Sequence, residues 1–341
     1  MSTFTVWSQA PPYWGLRDYG VEGQIGLEAS PDEFVARMVE VFAEVRRVMR
    51  KDGTLWLNLG DSYSSGGRHT QVVDSKRKPE TRTHAHDSAS GKHAALNGTA
   101  VRPGQVDGLS DKQLIGIPWR VALALQADGW WLRSEIVWHK PAPMPESVRD
   151  RPTRAHESVF LLTRSGRYYF DQDAIREPLQ PSSVARLGQQ IETQYGSERA
   201  YGGKKTNRPM KAVGPAYFGG RNKSEINDQT RLASGNAWEQ DPERGANSRD
   251  VWTIASEGFN EAHFAVMPAE LARRCIAAGS PVAGVVLDPF SGAGTTVLVA
   301  NRLGREGIGI ELNPQYAEMS RRRITDDAPL FNQVTEVVPN G

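Results

Sequence analysis

Between Pro31 and Met49 the apolar residues Phe34, Met38, Phe42, Val45 and Met49 recur every three or four positions, the spacing that lays a stripe along one side of a helix. Ser30, Pro31 and Glu33 precede the stripe, giving a cap, a residue whose φ is already helical and an acid three places after the cap. A helix is predicted here, stopped at Asp52-Gly53. The pattern then becomes an apolar run, Thr54 to Leu59, that reads as a buried strand ending in Gly60-Asp61. The same change of period repeats along the chain. Strands are predicted at Phe4 to Gln9, Leu132 to Trp138, Val285 to Asp288 and Gly307 to Glu311, with a hairpin of Ser158 to Thr163 and Tyr168 to Phe170 across Ser165-Gly166. Helices are predicted at Lys112 to Ala127, Pro268 to Ala278, Thr295 to Leu303 and Pro314 to Ile324. Alternating strands and helices predict an α/β fold with a doubly wound, mainly parallel sheet.

Two regions break the pattern. From residue 62 to residue 111 polar, Gly and His residues take over, which reads as a loop or mobile insertion. From 171 to 250 long apolar periodicity is again missing, and Arg199 to Lys223 carries seven basic residues and no acid, interleaved with Tyr201, Tyr217 and Phe218. Basic groups beside aromatics and amides form a composition suited to nucleic acid, although such a run is more often a solvated surface. The chain as a whole offers a polyanion nothing: 41 Lys and Arg face 40 Asp and Glu. Any nucleic-acid surface must therefore be a local patch. With 341 residues, one large domain with insertions or two domains is expected. The one cysteine, Cys275, rules out an intrachain disulfide and a cysteine-rich zinc site, and with no membrane-length apolar run or secretory signal the chain is read as cytoplasmic.

Val285-Val286-Leu287-Asp288-Pro289-Phe290-Ser291-Gly292-Ala293-Gly294-Thr295-Thr296 reads as a buried strand, a Gly-rich turn and a helix start, followed by a strand ending in Glu311. In a doubly wound sheet this layout lets backbone approach a nucleoside-like ligand, and an acid closing the next strand can accept from ribose hydroxyls. A P-loop would need Lys before Thr295, where Gly294 stands, and a dinucleotide fingerprint would need Gly or Ala where Val297 stands. A purely structural corner accounts for the glycines but not for the carboxylates at both strand ends.

The string resembles the S-adenosylmethionine motif of amino-methylating DNA methyltransferases, and Ala10-Pro11-Pro12-Tyr13-Trp14-Gly15-Leu16-Arg17-Asp18-Tyr19 resembles their catalytic loop, in which Asp, Asn or Ser precedes Pro-Pro-Tyr. The order, catalytic loop first and cofactor loop last, is similar to the permuted (beta) class of that family, specific for N4 of cytosine or N6 of adenine. The resemblance implies the S-adenosylmethionine-dependent methyltransferase fold with an inserted recognition region. It implies a catalytic half at 1–170, a target recognition region at 171–250, a cofactor half at 251–325 and a tail at 326–341.

The resemblance also implies that Phe290, Ser291, Gly292, Gly294 and Thr295 line the cofactor, that Asp288 lies near its methionine end, that Glu311 holds the ribose, and that Asn313 and upstream His263 belong to the same site. Ala10, Pro11, Pro12 and Tyr13 form the catalytic set. An exocyclic amino nitrogen has its lone pair drawn into the base, so acceptors such as the Pro11 carbonyl must localise it before it attacks a sulfonium methyl. Tyr13 would stack on a base swung out of the duplex. Trp14, Lys140, Lys204, Lys205, Arg208, Lys211, Arg221 and Lys223 are candidate DNA contacts, double-stranded DNA is the expected partner, and a cognate restriction nuclease is a further one.

No Pro-Cys loop exists for carbon-five methylation, since Cys275 lies in a predicted helix. The sequence departs from the family at Ala10, which has no side-chain acceptor, and at Ala142, where Asn is usual. Few residues precede Ala10, so either Gln333 to Val338 supplies a further strand or the chain starts late. These departures keep a second reading open: a relative that binds DNA and cofactor without turnover. RNA modification is a third, with no RNA-binding module to favour it.

Overall fold

The computed structural model describes residues 4–8, 11–65, 99–100, 106–182, 184, 245–256, 267–329 and 334–337. Of the expected residues, Ala10, His263, Lys204, Lys205, Arg208, Lys211, Arg221 and Lys223 lie outside them, as does most of 62–111. The chain divides into two compact units. One is Met1–Ala174 with Arg249–Gly341, the other Ile175–Ser248.

In the larger unit the elements run β1 (Phe4–Ser8), β2 (Arg17–Asp18), α1 (Pro31–Val48), β3 (Thr54–Leu59), β4 (Thr99–Ala100), α2 (Ile117–Ala127), β5 (Trp131–His139), β6 (His156–Thr163), β7 (Val251–Thr253), α3 (Ala269–Gly279), β8 (Val285–Asp288), α4 (Thr295–Arg302), β9 (Glu306–Gly309) and α5 (Pro314–Asp327). Seven strands form one sheet in the order β7-β5-β6-β3-β1-β8-β9. Four neighbouring pairs are parallel and the two made by β6 are antiparallel, so the sheet is mainly parallel, as the alternating pattern predicts.

α1 forms where its stripe and cap predict. Ser30 Oγ accepts from the Glu33 N–H at 3.2 Å, and Phe34, Met38, Phe42 and Val45 are buried against the sheet and α2. α2 begins at Ile117, five residues later than its periodicity suggests. Gly116 stands at φ 80°, and Asp61 reaches from the end of β3 to accept the N–H groups of Gly116 and Ile117 at 2.9 and 3.0 Å. Residues 112–115 instead pair with Ser62 to Ser64. The predicted hairpin is also absent. Both edges of β6 are taken by β3 and β5, so Tyr168–Phe170 forms no strand, and the Tyr169 N–H bonds to the Asp52 carbonyl at 2.8 Å.

The expected alternative of a C-terminal strand also fails. Residues 334–337 have no regular structure, and β1 itself occupies the place between β3 and β8. In the smaller unit Glu177 and Ala246 exchange both backbone bonds, at 2.9 and 2.7 Å, beside Gly245 at φ 75°.

Candidate active site

β1 runs parallel to both neighbours, with Ser8 opposite Leu57 of β3 and Val6 opposite Leu287 of β8. From β1 the chain crosses through α1 to β3 on one side, and from β8 it crosses through α4 to β9 on the other. The winding therefore reverses between β1 and β8, and open α/β sheets bind ligands in the crevice at such a point, outside the carboxyl ends of their strands. Two loops open there: Pro11–Trp14 after β1, and Pro289–Gly294 after β8.

The second loop is tied down from within. Asp288 is fully buried and its Oδ1 accepts from the Phe290 N–H at 3.0 Å. Gly292 and Gly294 stand at φ 51° and 75°, a region in which any other residue would be strained. Glu311 Oε2 accepts the Gly292 N–H at 2.7 Å and Oε1 the Asn313 N–H at 2.8 Å, so the carboxylate closing β9 clamps the turn after β8. Burial raises the Glu311 pKa, against the pull of those backbone donors. Thr295 Oγ1 accepts from Arg323 at 2.7 Å and Asn313 Oδ1 caps α5 through the Gln315 N–H at 2.9 Å, so both side chains are engaged inside the chain.

The corner fits an adenosine-bearing group. Ile310 and Leu312 flank Glu311 and are more than half exposed, giving apolar surface on either side of a carboxylate. Ser291 Oγ is buried with no hydrogen-bond partner among the described residues. Tyr19 and Tyr316 meet edge to face with ring centroids 6.1 Å apart, and the Glu311 charge acts on both. Burial pushes the Tyr316 hydroxyl up to about 12.

The first loop presents Tyr13. Gly26, at φ 103°, lies against Pro12 and the Tyr13 carbonyl so closely that a Cβ there would sit 3.2 Å from each, and its carbonyl accepts the Gly15 N–H at 2.8 Å. Pro11 is buried. The Tyr13 ring rests on Gly60, where a Cβ would come within 2.7 Å of ring atom Cδ2. Its hydroxyl donates to Glu157 Oε2 at 2.8 Å and lies 3.3 Å from Asn58 Oδ1. Burial, and then the Glu157 carboxylate, hold that hydroxyl well above the usual tyrosine range, so it stays protonated. Tyr19, six residues after Tyr13, packs against Ala293 of the second loop together with Tyr316 and Met319.

Trp14 is a correction. Expected at the DNA, it is 2% exposed within the main apolar core, with Nε1 donating to the Glu28 carbonyl at 3.0 Å. A residue so enclosed packs and cannot touch a duplex. Lys140 lies over the Trp138 ring, 4.3 Å from its centroid, and pairs with Glu157. Sequence reasoning missed Asn58, Gly60 and Glu157, which gain meaning only when β3 and β6 come together beside Tyr13.

The family described as DNA methylase, of the N6/N4 type, matches residues 5–322. The type II methyltransferase M.SmaI of Serratia marcescens is 40% identical over 92% of this chain and 82% of its own, and M.Cfr9I of Citrobacter freundii is 40% identical over 92% and 79%. Among solved structures, the PvuII DNA methyltransferase, named as cytosine-N4-specific, aligns with TM-score 0.53 at 15% identity over 96% of this chain and 84% of its own. A Thermus thermophilus protein, the putative DNA modification methylase TTHA0409, crystallised with S-adenosyl-L-methionine, aligns with TM-score 0.51 at 20% identity over 97% and 88%. At those identities the two structures establish the fold alone.

Proposed function

The chain belongs to the amino-methylating DNA methylase family, and on that premise we propose how its sheet edge moves a methyl group from S-adenosylmethionine to an exocyclic amino nitrogen of duplex DNA. The carrying observation is that β1 and β8 run parallel side by side, so the Pro11–Trp14 and Pro289–Gly294 loops leave the same edge of the sheet, which supports a shared site. Glu311, the Gly292–Gly294 turn, Ser291 and the apolar surfaces of Ile310 and Leu312 would hold the cofactor, with Asp288 shaping the turn. When bound, S-adenosylmethionine supplies the electrophilic methyl. Across the crevice the Pro11 carbonyl, on a segment stiffened by two fixed φ angles, accepts from the target amino group and draws its lone pair out of the ring. Tyr13 offers its ring to the extruded base. Its hydroxyl keeps its proton, so it plays no part as a base.

Transfer is a direct displacement: the nitrogen–methyl bond forms as the sulfur–methyl bond breaks, and the nitrogen then loses a proton to solvent. Cys275 is fully buried, and burial pushes its thiol well up, so no thiolate attack is available. Target recognition is assigned to the 171–250 region with its basic centre, in the cytoplasm, with a nuclease of matching specificity as partner. The type II names of the relatives support that pairing. Incubating duplex DNA with methyl-labelled cofactor, digesting it and weighing the nucleosides tests the reading. Labelled N4-methylcytosine or N6-methyladenine is expected, and label in neither, with cofactor bound, would refute it.

A further inference from the structure

The geometry points to Glu157, held by Lys140, as the positioning residue that fixes the Tyr13 ring against Gly60 and leaves its opposite face to the target base. The inference deepens the catalytic reading above and rests on it. A phenol ring braced on one face by backbone can still swing about its side-chain torsions, and stacking on a base needs the plane held. Gly60 braces the face. The far end of the ring is tethered through the hydroxyl, at 2.8 Å from Glu157 Oε2. A hydroxyl has one proton, and the shorter bond to a charged acceptor takes it, with Asn58 Oδ1 at 3.3 Å as the secondary neighbour.

Each acceptor is itself fixed. Asn58 Nδ2 donates to the Ser158 carbonyl at 3.1 Å, which turns its Oδ1 toward Tyr13. Glu157 stands opposite Trp138 in the β5–β6 ladder, and its Oε1 accepts from Lys140 Nζ, which lies over the Trp138 ring. The Glu157 and Lys140 side chains are 16% and 23% exposed. An ion pair withdrawn this far from water gains the fold little over an apolar pair of the same size, so stability does not account for it. Fixing the orientation of a third group does. Neither residue touches the reacting atoms in this arrangement; both act through Tyr13.

The test combines a double-mutant cycle with a direct view of the ring. In Glu157→Gln the shape is kept and the charge that secures the tether is lost, whereas Tyr13→Phe removes the hydroxyl. We expect each alone to lower kcat about tenfold with the KM for S-adenosylmethionine nearly unchanged; Glu157→Gln, which leaves the Lys140 ammonium without its counter-ion, should also melt lower than the wild type. The pair together should be no slower than Tyr13→Phe, because both remove the same constraint. Multiplying losses, or a fall in kcat matched by lost cofactor affinity, would overturn the proposal. Ring-labelled tyrosine NMR supplies a readout free of turnover: the Tyr13 ring should hold one orientation with a high order parameter in the wild type and lose order in Glu157→Gln, and equal order parameters would also overturn it. If wild-type protein transfers no methyl group, the catalytic reading fails, while the ring measurement still reports on the tether.

Discussion

Replacing Gly60 by Ala places one methyl group where the structure has none to spare. The new Cβ would stand 2.7 Å from Cδ2 and 3.0 Å from Cζ of Tyr13, and nearer still to Cε2, whereas ordinary contact begins at 3.4 Å. The ring must retreat by about 0.7 Å at Cδ2 and more at Cε2, close to 1 Å overall, and it retreats away from the brace, into the space assigned to the base. A misplacement of about 1 Å in a catalytic constellation costs about a hundredfold in rate. That is about 2.7 kcal/mol of activation free energy. Local overpacking costs a further ~1–3 kcal/mol of stability, so the variant should remain folded. Initial rates with tritiated cofactor on duplex DNA, calorimetry for cofactor affinity and a thermal melt separate the terms. We expect kcat to fall about a hundredfold at unchanged cofactor affinity. A kcat within threefold of wild type would mean that the ring position does not govern transfer, and a parallel loss of cofactor binding would mean that Gly60 supports the whole sheet edge.

Glu311 carries a pH signature. Burial raises its folded pKa above the ordinary 4.5, so its contribution to stability is fully present below pH 4.5 and is lost as pH rises through the raised value. Cofactor hydroxyls need the ionised form, so S-adenosylmethionine affinity should weaken as pH is lowered toward that value, and Glu311→Gln should bind weakly with a flat profile. An unchanged slope in the Gln variant, measured by calorimetry from pH 5 to 8, would clear Glu311 of the role. Trp14→Ala should cost ~3–5 kcal/mol of stability in denaturant melts, while Trp14→Phe leaves DNA affinity at wild-type level; a selective loss of DNA binding in the Phe variant would return Trp14 to the interface. Ala10→Ser adds the missing acceptor and should raise kcat about tenfold or more at fixed cofactor affinity; a rate unchanged or lowered would show that the Pro11 carbonyl alone suffices.

What was legible in the sequence was what is contiguous. The turn after β8 and its clamp Glu311 lie within about 25 residues, and the residue types forced by a positive φ at Gly292 and Gly294 are visible in one string. The N-terminal strand was read correctly, though only its pairing shows that it is central. Hidden from one-dimensional reading were contacts made by sheet order: Asn58 and Glu157 reach Tyr13 because β6 returns antiparallel beside β3, and Asp61 caps a helix 55 residues away. The same limit produced two errors. Trp14 is expected at the DNA, yet it is buried in the core, because adjacent residues in a loop can point to opposite sides of it. The Tyr168–Phe170 hairpin looked sound locally, but β6 had no edge left to receive it.

The interior strand β1 imposes an order on biosynthesis. Phe4–Ser8 leaves the ribosome some 280 residues before one of its two neighbours, Val285–Asp288. Ladders closed over such sequence separations form slowly, and until that partner arrives the early strand keeps an open flank. The crevice can thus be assembled only after β8 and β9 have emerged, so a nascent polypeptide interrupted before them holds half of it and has nothing with which to modify a genome.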